Sequence, residues 1–266
     1  MSAVYGPSAA GPTAQSGFTS HPTNSYPSES AEPRGQISVA LVCRSNVNRS
    51  MEAHAALLQH GFHLVASYGV GTKVSLAGEA RGAPNEYRFG TPYTTIVGDL
   101  RSKNEALYTR LRLLQMLERD AQIKQAPERF QDALPRFDLV ITFEAYVYNT
   151  VLDDLNKRAP ALGMPCHVVN LETPDTLEEA HSAALHALRL VAALHTAAAA
   201  APLTTSVAPA DEPAEVVLAR VTQHLPRPEG AIGRLDSTQW EDSLPPLLEA
   251  LEVETRRTVH HSVVWV

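Results

Sequence analysis

Apolar segments with strand-like and helix-like periodicity alternate along the central part of the chain. The first of them, 37–42, is short and rich in β-branched residues, which predicts a buried strand. The alternation continues to about residue 195 and predicts a three-layer α/β/α fold with a mostly parallel sheet, because parallel strands need helical crossovers. The predicted strands are 37–42, 63–68, 137–142, 167–170 and 258–266; the predicted helices are 50–60, 93–121 in two pieces, 144–157, one that starts near Leu177 and includes 183–201, and 239–254.

Three segments interrupt this pattern. Residues 1–36 are rich in Ser, Pro, Gly and Thr and are predicted to be a disordered tail. Residues 73–92 carry many Gly and Pro and are predicted to be a long irregular excursion, of the kind that forms lids or substrate walls. Residues 196–237 are rich in Ala and Pro and are predicted to be a flexible insert with one short helix near 214–225. We therefore expect one domain, 37–266, interrupted by that insert.

The composition narrows the class of protein. A formal net charge of −7 and a pI near 5.9 argue against a nucleic-acid-binding surface. Two cysteines, Cys43 and Cys166, suit a reducing compartment and exclude a disulfide-rich fold. The apolar stretch 183–201 contains His and Arg at intervals, which is typical of an amphipathic core helix rather than a membrane span. We expect no signal peptide, no membrane association, and no metal or other cofactor.

The octapeptide 43–50 holds the residues with the clearest chemistry. Cys43 is followed by five residues and then Arg49-Ser50, between a predicted strand and a predicted helix. Such a loop directs backbone N–H groups and the positive end of the helix dipole at an anion, and Arg49 can bind two phosphate oxygens. In that field we expect Cys43 to be a thiolate nucleophile. The predicted phosphate-binding residues are Arg44, Ser45, Asn46, Val47, Asn48, Arg49 and Ser50, and Ser50 is also expected to donate a hydrogen bond to the sulfur.

The composition of this loop excludes two other classes of phosphate-binding loop. It contains no Gly, so it is neither a dinucleotide-binding turn nor a Walker-type loop. Asn46 and Asn48 suit a tight loop, because Asn tolerates the left-handed conformation. The simpler alternative is that Cys43 is a buried cysteine at a strand end and Arg49 a surface arginine.

The serine or tyrosine oxygen of a phosphate ester leaves poorly unless it is protonated, so the chemistry needs an acid on a second loop at the same edge of the sheet. Asp175 is our candidate, because its loop follows the predicted strand that ends at Asn170. Glu172 is the nearest rival. The structural alternative for Asp175 is a helix N-cap, with Glu178 completing a capping box.

Several segments of the chain resemble one family of eukaryotic phosphatases, and the similarity covers about 37–195 and 239–266. The matching segments are 43–54, 68–72, 127–131, 137–142, 153–156, 167–170 and 257–261. The family dephosphorylates the C-terminal domain of RNA polymerase II and belongs to the cleavage and polyadenylation factor. Its fold is similar to that of low-molecular-weight tyrosine phosphatases. Arg44 stands where many relatives carry a small residue, which adds positive charge beside the pocket.

The resemblance implies a function and its site. Cys43 would be the nucleophile of a phosphocysteine intermediate, Arg49 would bind the phosphate, and Asp175 would be the general acid. The implied substrate is phosphoserine followed by a cis proline, at the fifth and seventh heptad positions. The implied partners are a symplekin-type scaffold, other cleavage and polyadenylation factor subunits, and a prolyl isomerase as a functional partner. The resemblance also implies a nuclear location and a role in transcription termination and mRNA 3′ end processing.

Three alternatives remain open at the level of sequence. Low-molecular-weight tyrosine phosphatases usually carry their acid as Asp-Pro, whereas this chain has Pro174-Asp175. Thiol-dependent arsenate reductases share the fold but need relay cysteines, and only Cys166 is available. The third alternative is a scaffold subunit that has the fold without turnover.

Overall fold

The chain forms an α/β structure whose central sheet positions the Cys43 loop. The computed structural model describes residues 37–133, 136–158, 163–200 and 240–266. Its strands are β1 (Val39–Cys43), β2 (Val65–Gly69), β3 (Val74–Leu76), β4 (Asn85–Tyr87), β5 (Leu139–Thr142), β6 (Pro165–Leu171) and β7 (Val259–Trp265). Its α-helices are α1 (Arg49–Gln59), α2 (Tyr93–Arg110), α3 (Leu113–Ile123), α4 (Ala145–Lys157), α5 (Leu177–Ala200) and α6 (Leu244–Thr255).

The central sheet has the strand order β2-β1-β5-β6-β7. The first four strands are parallel, and β7 pairs antiparallel with β6. Val42 pairs with Thr142, which pairs in turn with Asn170, so the carboxyl ends of β1, β5 and β6 lie at one edge. The prediction of a mostly parallel sheet is confirmed.

Alternate residues of the strands pack into two separate cores on the two faces of the sheet. Val39, Leu41 and Cys43 face one core, which also contains apolar residues of α1, α5 and α6. Ala40 and Val42 face the other core, which contains the buried face of α4. Strands buried on both faces are typical of parallel sheets covered by helices, and the predicted three-layer arrangement is confirmed.

The prediction of an irregular excursion at 73–92 was wrong in part. This segment contains the antiparallel hairpin β3–β4, in which Val74 and Leu76 are buried with residues of α2 and α3. Two three-residue strands give too few alternating positions for a period to be recognised. A Cβ at Gly78 would overlap the carbonyl of Ala83, so glycine at this position allows the connection between β3 and β4 to form.

The other predicted elements lie close to their expected positions. The predicted break in 93–121 separates α2 from α3 at Leu111 and Arg112, and Arg112 has a positive φ of 59°. Helix α5 continues to Ala200, past the expected start of the insert at 196. The tail 1–36, the rest of the insert and its short helix near 214–225 lie outside the described residues. None of the described helices combines the length and apolarity that a bilayer crossing needs.

Candidate active site

The Cys43 loop lies at the carboxyl edge of the sheet, between the last residue of β1 and the first turn of α1. Cys43 Sγ is buried, accepts a hydrogen bond from the Asn46 backbone N–H at 3.3 Å, and is hydrogen-bonded to Ser50 Oγ at 3.1 Å. Both contacts lie on the side of the sulfur that faces the loop. The predicted contact between Ser50 and Cys43 is therefore present.

Asn46 organises the loop. It is fully buried with a positive φ of 53°, as the sequence indicated. Its side chain donates to Ser50 Oγ at 3.1 Å and accepts from the Glu128 backbone N–H at 3.0 Å. Its carbonyl accepts from the Tyr93 hydroxyl at 2.7 Å. Asn48 differs from the expectation, because its φ is −95° and it caps α1 without a left-handed turn.

Arg49 is buried and oriented by three groups. Its Nη1 donates to the Thr173 carbonyl at 2.9 Å and to the Phe143 carbonyl at 3.4 Å, and its Nη2 donates to Glu144 Oε2 at 2.9 Å. Burial alone would lower the pKa of Arg49, but the negative charges of Cys43, Asp175 and Glu144 outweigh it and raise that pKa. The guanidinium is therefore a fixed positive charge, and the alternative of a surface arginine is wrong.

Asp175 lies beside this guanidinium. Its Oδ1 is 3.4 Å from Arg49 Nε, an ion pair without hydrogen-bond geometry, and it accepts from Asn48 Nδ2 at 2.9 Å. The capping alternative for Asp175 is wrong, because Thr176 Oγ1 accepts the Glu179 N–H at the start of α5. The side chain of Asp175 is 61% exposed and open to a ligand in the cleft.

Glu172, the rival acid, is held at the start of α4. Its Oε2 accepts from the Ala145 backbone N–H and from Asn170 Nδ2, each at 3.0 Å. Glu172 does not line the cleft, whereas Asp175 lines it with a side chain that is 61% exposed. This arrangement favours Asp175 over Glu172 as a proton donor.

The remaining residues of the loop have separate positions. Ser45 Oγ accepts the Ser75 N–H of β3 at 3.2 Å, and Val47 is buried in the core formed with α2 and α3. The Arg44 side chain is 58% exposed and lies over Tyr146 rather than in the cleft. Asn46 and Ser50 are fully buried, so their side chains support the loop from within.

One cleft of about 290 Å³ brings the main candidates together. Its lining residues are Cys43, Ser45, Val47, Asn48, Arg49, Ser75, Leu76, Ala77, Leu111, Leu113, Met116, Asp175, Thr176 and Leu177. Three of its walls therefore come from the loop, the β3–β4 hairpin and the corner between α2 and α3. The fourth is the start of α5.

Sequence reasoning missed several residues of the site. Glu144 binds Arg49 and lies two residues after Thr142, the last residue of β5, so an acidic residue after a predicted strand was an available signal. Nothing in the sequence indicated that Tyr93 or Glu128 would hold Asn46. Cys166 lies in β6 in the core on the opposite face from Cys43. The described residues contain no group of three or more His, Cys, Asp or Glu side chains that could hold a metal ion.

A mostly parallel sheet with a Cys-x5-Arg-Ser loop at its carboxyl edge defines a class, the α/β proteins of the low-molecular-weight phosphatase type. Within that class, the chain belongs to the Ssu72-like protein family, whose model matches residues 37–266. It is 49% identical to the RNA polymerase II C-terminal domain phosphatase SSU72 of Danio rerio over 148 residues, which are 56% of this chain and 76% of that protein. It is 47% identical to the Homo sapiens protein of the same name over 148 residues, which are again 56% of this chain and 76% of that protein.

Solved structures agree with this assignment. A serine phosphatase of the RNA polymerase II C-terminal domain from Drosophila melanogaster matches with a TM-score of 0.64 and 33% identity, over 87% of this chain and 100% of that one. A second match is Drosophila melanogaster Ssu72 with Symplekin, bound to a cis peptidomimetic phosphoserine peptide of the C-terminal domain. Its TM-score is 0.63 and its identity 31%, over 87% of this chain and 100% of that one.

Proposed function

We propose that this chain is a metal-independent cysteine phosphatase that removes phosphate from phosphoserine-proline sites of the RNA polymerase II C-terminal domain. The single observation that supports this most strongly is the convergence of Cys43, Arg49 and Asp175 on one cleft. A nucleophile, a fixed cation and a proton donor are the groups that hydrolysis of a phosphate ester needs.

In the first half of the reaction, Arg49 and the backbone N–H groups of the loop bind the phosphoryl oxygens. The Cys43 thiolate attacks phosphorus while the bond from phosphorus to the serine oxygen breaks. Asp175, in its protonated form, donates its proton to that oxygen, so serine leaves as a neutral alcohol. The enzyme is left with phosphocysteine at Cys43 and a carboxylate at Asp175.

In the second half, water attacks the phosphocysteine. The Asp175 carboxylate takes a proton from that water, and the bond between phosphorus and sulfur breaks. Inorganic phosphate leaves and the thiolate returns. The Asn46 N–H and the Ser50 hydroxyl stabilise the sulfur as it departs, since both already contact Sγ.

The proposed substrate carries phosphoserine before a cis proline, at the fifth and seventh heptad positions. The apolar wall made by Leu111, Leu113 and Met116 offers a surface for a proline ring beside the phosphate. The cis peptidomimetic phosphoserine peptide bound by the Drosophila melanogaster relative supports the same preference. Cis forms are a minority of flexible X–Pro bonds, roughly 10–30%, so a prolyl isomerase would control substrate supply.

The same relative is bound to Symplekin, which supports a symplekin-type scaffold as a partner of this chain. With such a partner the protein would act in the nucleus, in transcription termination and mRNA 3′ end processing, among other cleavage and polyadenylation factor subunits. We propose no direct contact with nucleic acid, which is consistent with the net charge of −7.

The deciding experiment is turnover of singly phosphorylated heptad peptides whose proline is locked cis or trans. We expect hydrolysis of the cis phosphoserine peptide, little of the trans peptide and little of a phosphotyrosine peptide. Preference for phosphotyrosine would indicate a low-molecular-weight tyrosine phosphatase, and no hydrolysis would indicate a scaffold.

Controls separate the mechanism from the specificity. Cys43→Ser is expected to abolish turnover while peptide binding persists. EDTA is expected to leave the rate unchanged and vanadate, a phosphate analogue, to inhibit. Full activity of Cys43→Ser would refute the nucleophile.

A further inference from the structure

The side chains of Arg44 and Tyr146 lie beside the loop and are not used in the reaction steps proposed above. Arg44 directly follows Cys43, and its carbonyl accepts the Gly71 N–H at 2.9 Å. A Cβ at Gly71 would come within 3.0 Å of that carbonyl, so glycine is needed for this close approach. Because its backbone is fixed against β2 and the following turn, the Arg44 side chain starts from a defined point at the edge of the cleft.

The Arg44 guanidinium lies over the Tyr146 ring, 4.8 Å from its centroid. Tyr146 belongs to the first turn of α4 and is 54% exposed, and the Arg44 side chain is 58% exposed. A guanidinium stacked on an aromatic face keeps its in-plane N–H groups available to a ligand. The pair is therefore oriented in advance without being buried.

Glu144 is shared unequally between Arg44 and Arg49. Its Oε2 binds the buried Arg49 at 2.9 Å, whereas its Oε1 is 3.8 Å from Arg44 Nε, too long for a hydrogen bond. One carboxylate thus faces two guanidiniums, and its hydrogen bond goes to Arg49. Arg44 thus has only a long ion pair with Glu144, and its exposed guanidinium can still bind an anion.

We propose that Arg44 and Tyr146 form a second anion subsite, which binds a further phosphoryl group on the same peptide and gives a preference for multiply phosphorylated substrates. This inference rests on the proposed function. Arg44 and Arg49 contact the two oxygens of one carboxylate, so their guanidiniums are neighbours. Two residues of extended peptide span at most about 7 Å, so a phosphoserine two or three residues from the reacting one can reach Arg44. A phosphoryl group offers about two negative charges and oxygens suited to a guanidinium.

The test uses a phosphoserine-proline peptide with a second phosphoserine placed two or three residues away, on either side. For the wild-type chain we expect kcat/KM about fivefold higher for at least one doubly phosphorylated peptide, mainly through a lower KM. In Arg44→Ser the ratio of doubly to singly phosphorylated substrate should fall to about one. Arg44→Lys should keep part of it, and added salt should reduce it in the wild type.

Arg110→Ser is the matched control, because Arg110 is an exposed arginine at the end of α2 outside the cleft lining. It should keep the wild-type ratio. The proposal is overturned if no doubly phosphorylated peptide is preferred, or if the preference survives in Arg44→Ser. Failure of the wild type to hydrolyse the singly phosphorylated peptide would instead refute the proposed function. In that case binding decides the subsite independently of turnover. The Kd values of the singly and doubly phosphorylated peptides are measured on Cys43→Ser and on the double variant Cys43→Ser/Arg44→Ser, and the subsite requires tighter binding of the doubly phosphorylated peptide that is lost in the double variant.

Discussion

At the scale of single residues, the groups that we propose to react lie apart from the groups that hold them. Cys43, Arg49 and Asp175 line the cleft, whereas Asn46 and Ser50 are buried behind it. Arg49 is fixed by two carbonyls and Glu144, so little reorganisation is needed when a phosphoryl group binds. Substitutions of single residues can therefore separate effects on the reaction rate from effects on the stability of the loop.

Asp175→Asn tests the general acid. The variant should hydrolyse a phosphoserine peptide about 100-fold more slowly, because an alkoxide leaves poorly without a proton. Its rate on p-nitrophenyl phosphate, whose leaving group needs no proton, should fall much less. Steady-state kinetics on the two substrates measure the difference, and Glu172→Gln is the matched carboxylate control. Equal slowing on both substrates would count against Asp175 as the acid.

Asn46→Ala tests the support of the loop. The change removes one buried and one partly buried side-chain hydrogen bond and places Ala in a left-handed conformation. We expect a loss of about 2 kcal/mol in the free energy of unfolding, measured by urea titration. Asn48→Ala, at a negative φ, should cost less than about 1 kcal/mol. If both variants lose the same stability, Asn46 has no special role.

At the scale of elements, the antiparallel strand β7 ties the end of the chain to the sheet beside β6. His167 of β6 is hydrogen-bonded through Nδ1 to His261 Nε2 of β7 at 3.0 Å, and its ring packs on Trp240. Glu241 lies 3.7 Å from His167 Nε2, and Asp138 also acts on its charge. Burial, together with His261, lowers the pKa of His167 to about 4.

This buried histidine makes stability depend on pH. In the unfolded chain His167 regains an ordinary pKa of about 6.5 and binds protons more readily, so acid favours unfolding. Its contribution is fully present above pH 6.5 and is lost as the pH falls toward 4. Between pH 7.5 and pH 4.5, the free energy of unfolding of His167→Gln should fall by about 2 kcal/mol less than that of the wild type. Urea unfolding at the two pH values measures the difference. Parallel curves for His167→Gln and the wild type would contradict the prediction.

At the scale of the whole molecule, the site is built from elements that the insert does not supply. Every residue that lines the cleft lies between Cys43 and Leu177. Ala193 and Leu194 of α5 and Trp240 are buried in the same core, so the described residues on both sides of 201–237 belong to one packed unit. The insert is therefore expected to be dispensable for folding and chemistry.

Replacing 201–237 with a Gly/Ser linker of about 15 residues tests this expectation. We expect Tm to change by less than about 3 °C and kcat/KM on a phosphoserine peptide to stay within about twofold. A collapse of Tm would mean that the insert contributes to the core. Normal Tm with lost activity would place a substrate contact in the insert.

Features of the fold and the site could be predicted when the residues that specify them lie close together in the chain. The strand, loop and helix over 39–59 are local, because β-branched residues, helix formers and a Gly61 with φ of 84° specify them within one continuous segment. The Cys-x5-Arg-Ser spacing lies within that segment and indicated anion chemistry before any fold was known. Asp175 was predictable only as one of two candidates, since two acidic residues follow the same strand.

The sequence by itself thus determined the α/β alternation and the strand–loop–helix segment that carries the proposed phosphate site, because each depends on neighbours in the chain. Only the tertiary structure decided which groups hold that loop. Glu144 lies 95 residues from Arg49, and Tyr93 lies 47 residues from Asn46. Glu144 reaches Arg49 because parallel pairing aligns the carboxyl ends of β1, β5 and β6. Tyr93 reaches Asn46 because α2 and the β3–β4 hairpin pack on the loop. Long-range packing of this kind leaves no periodic signal in the sequence.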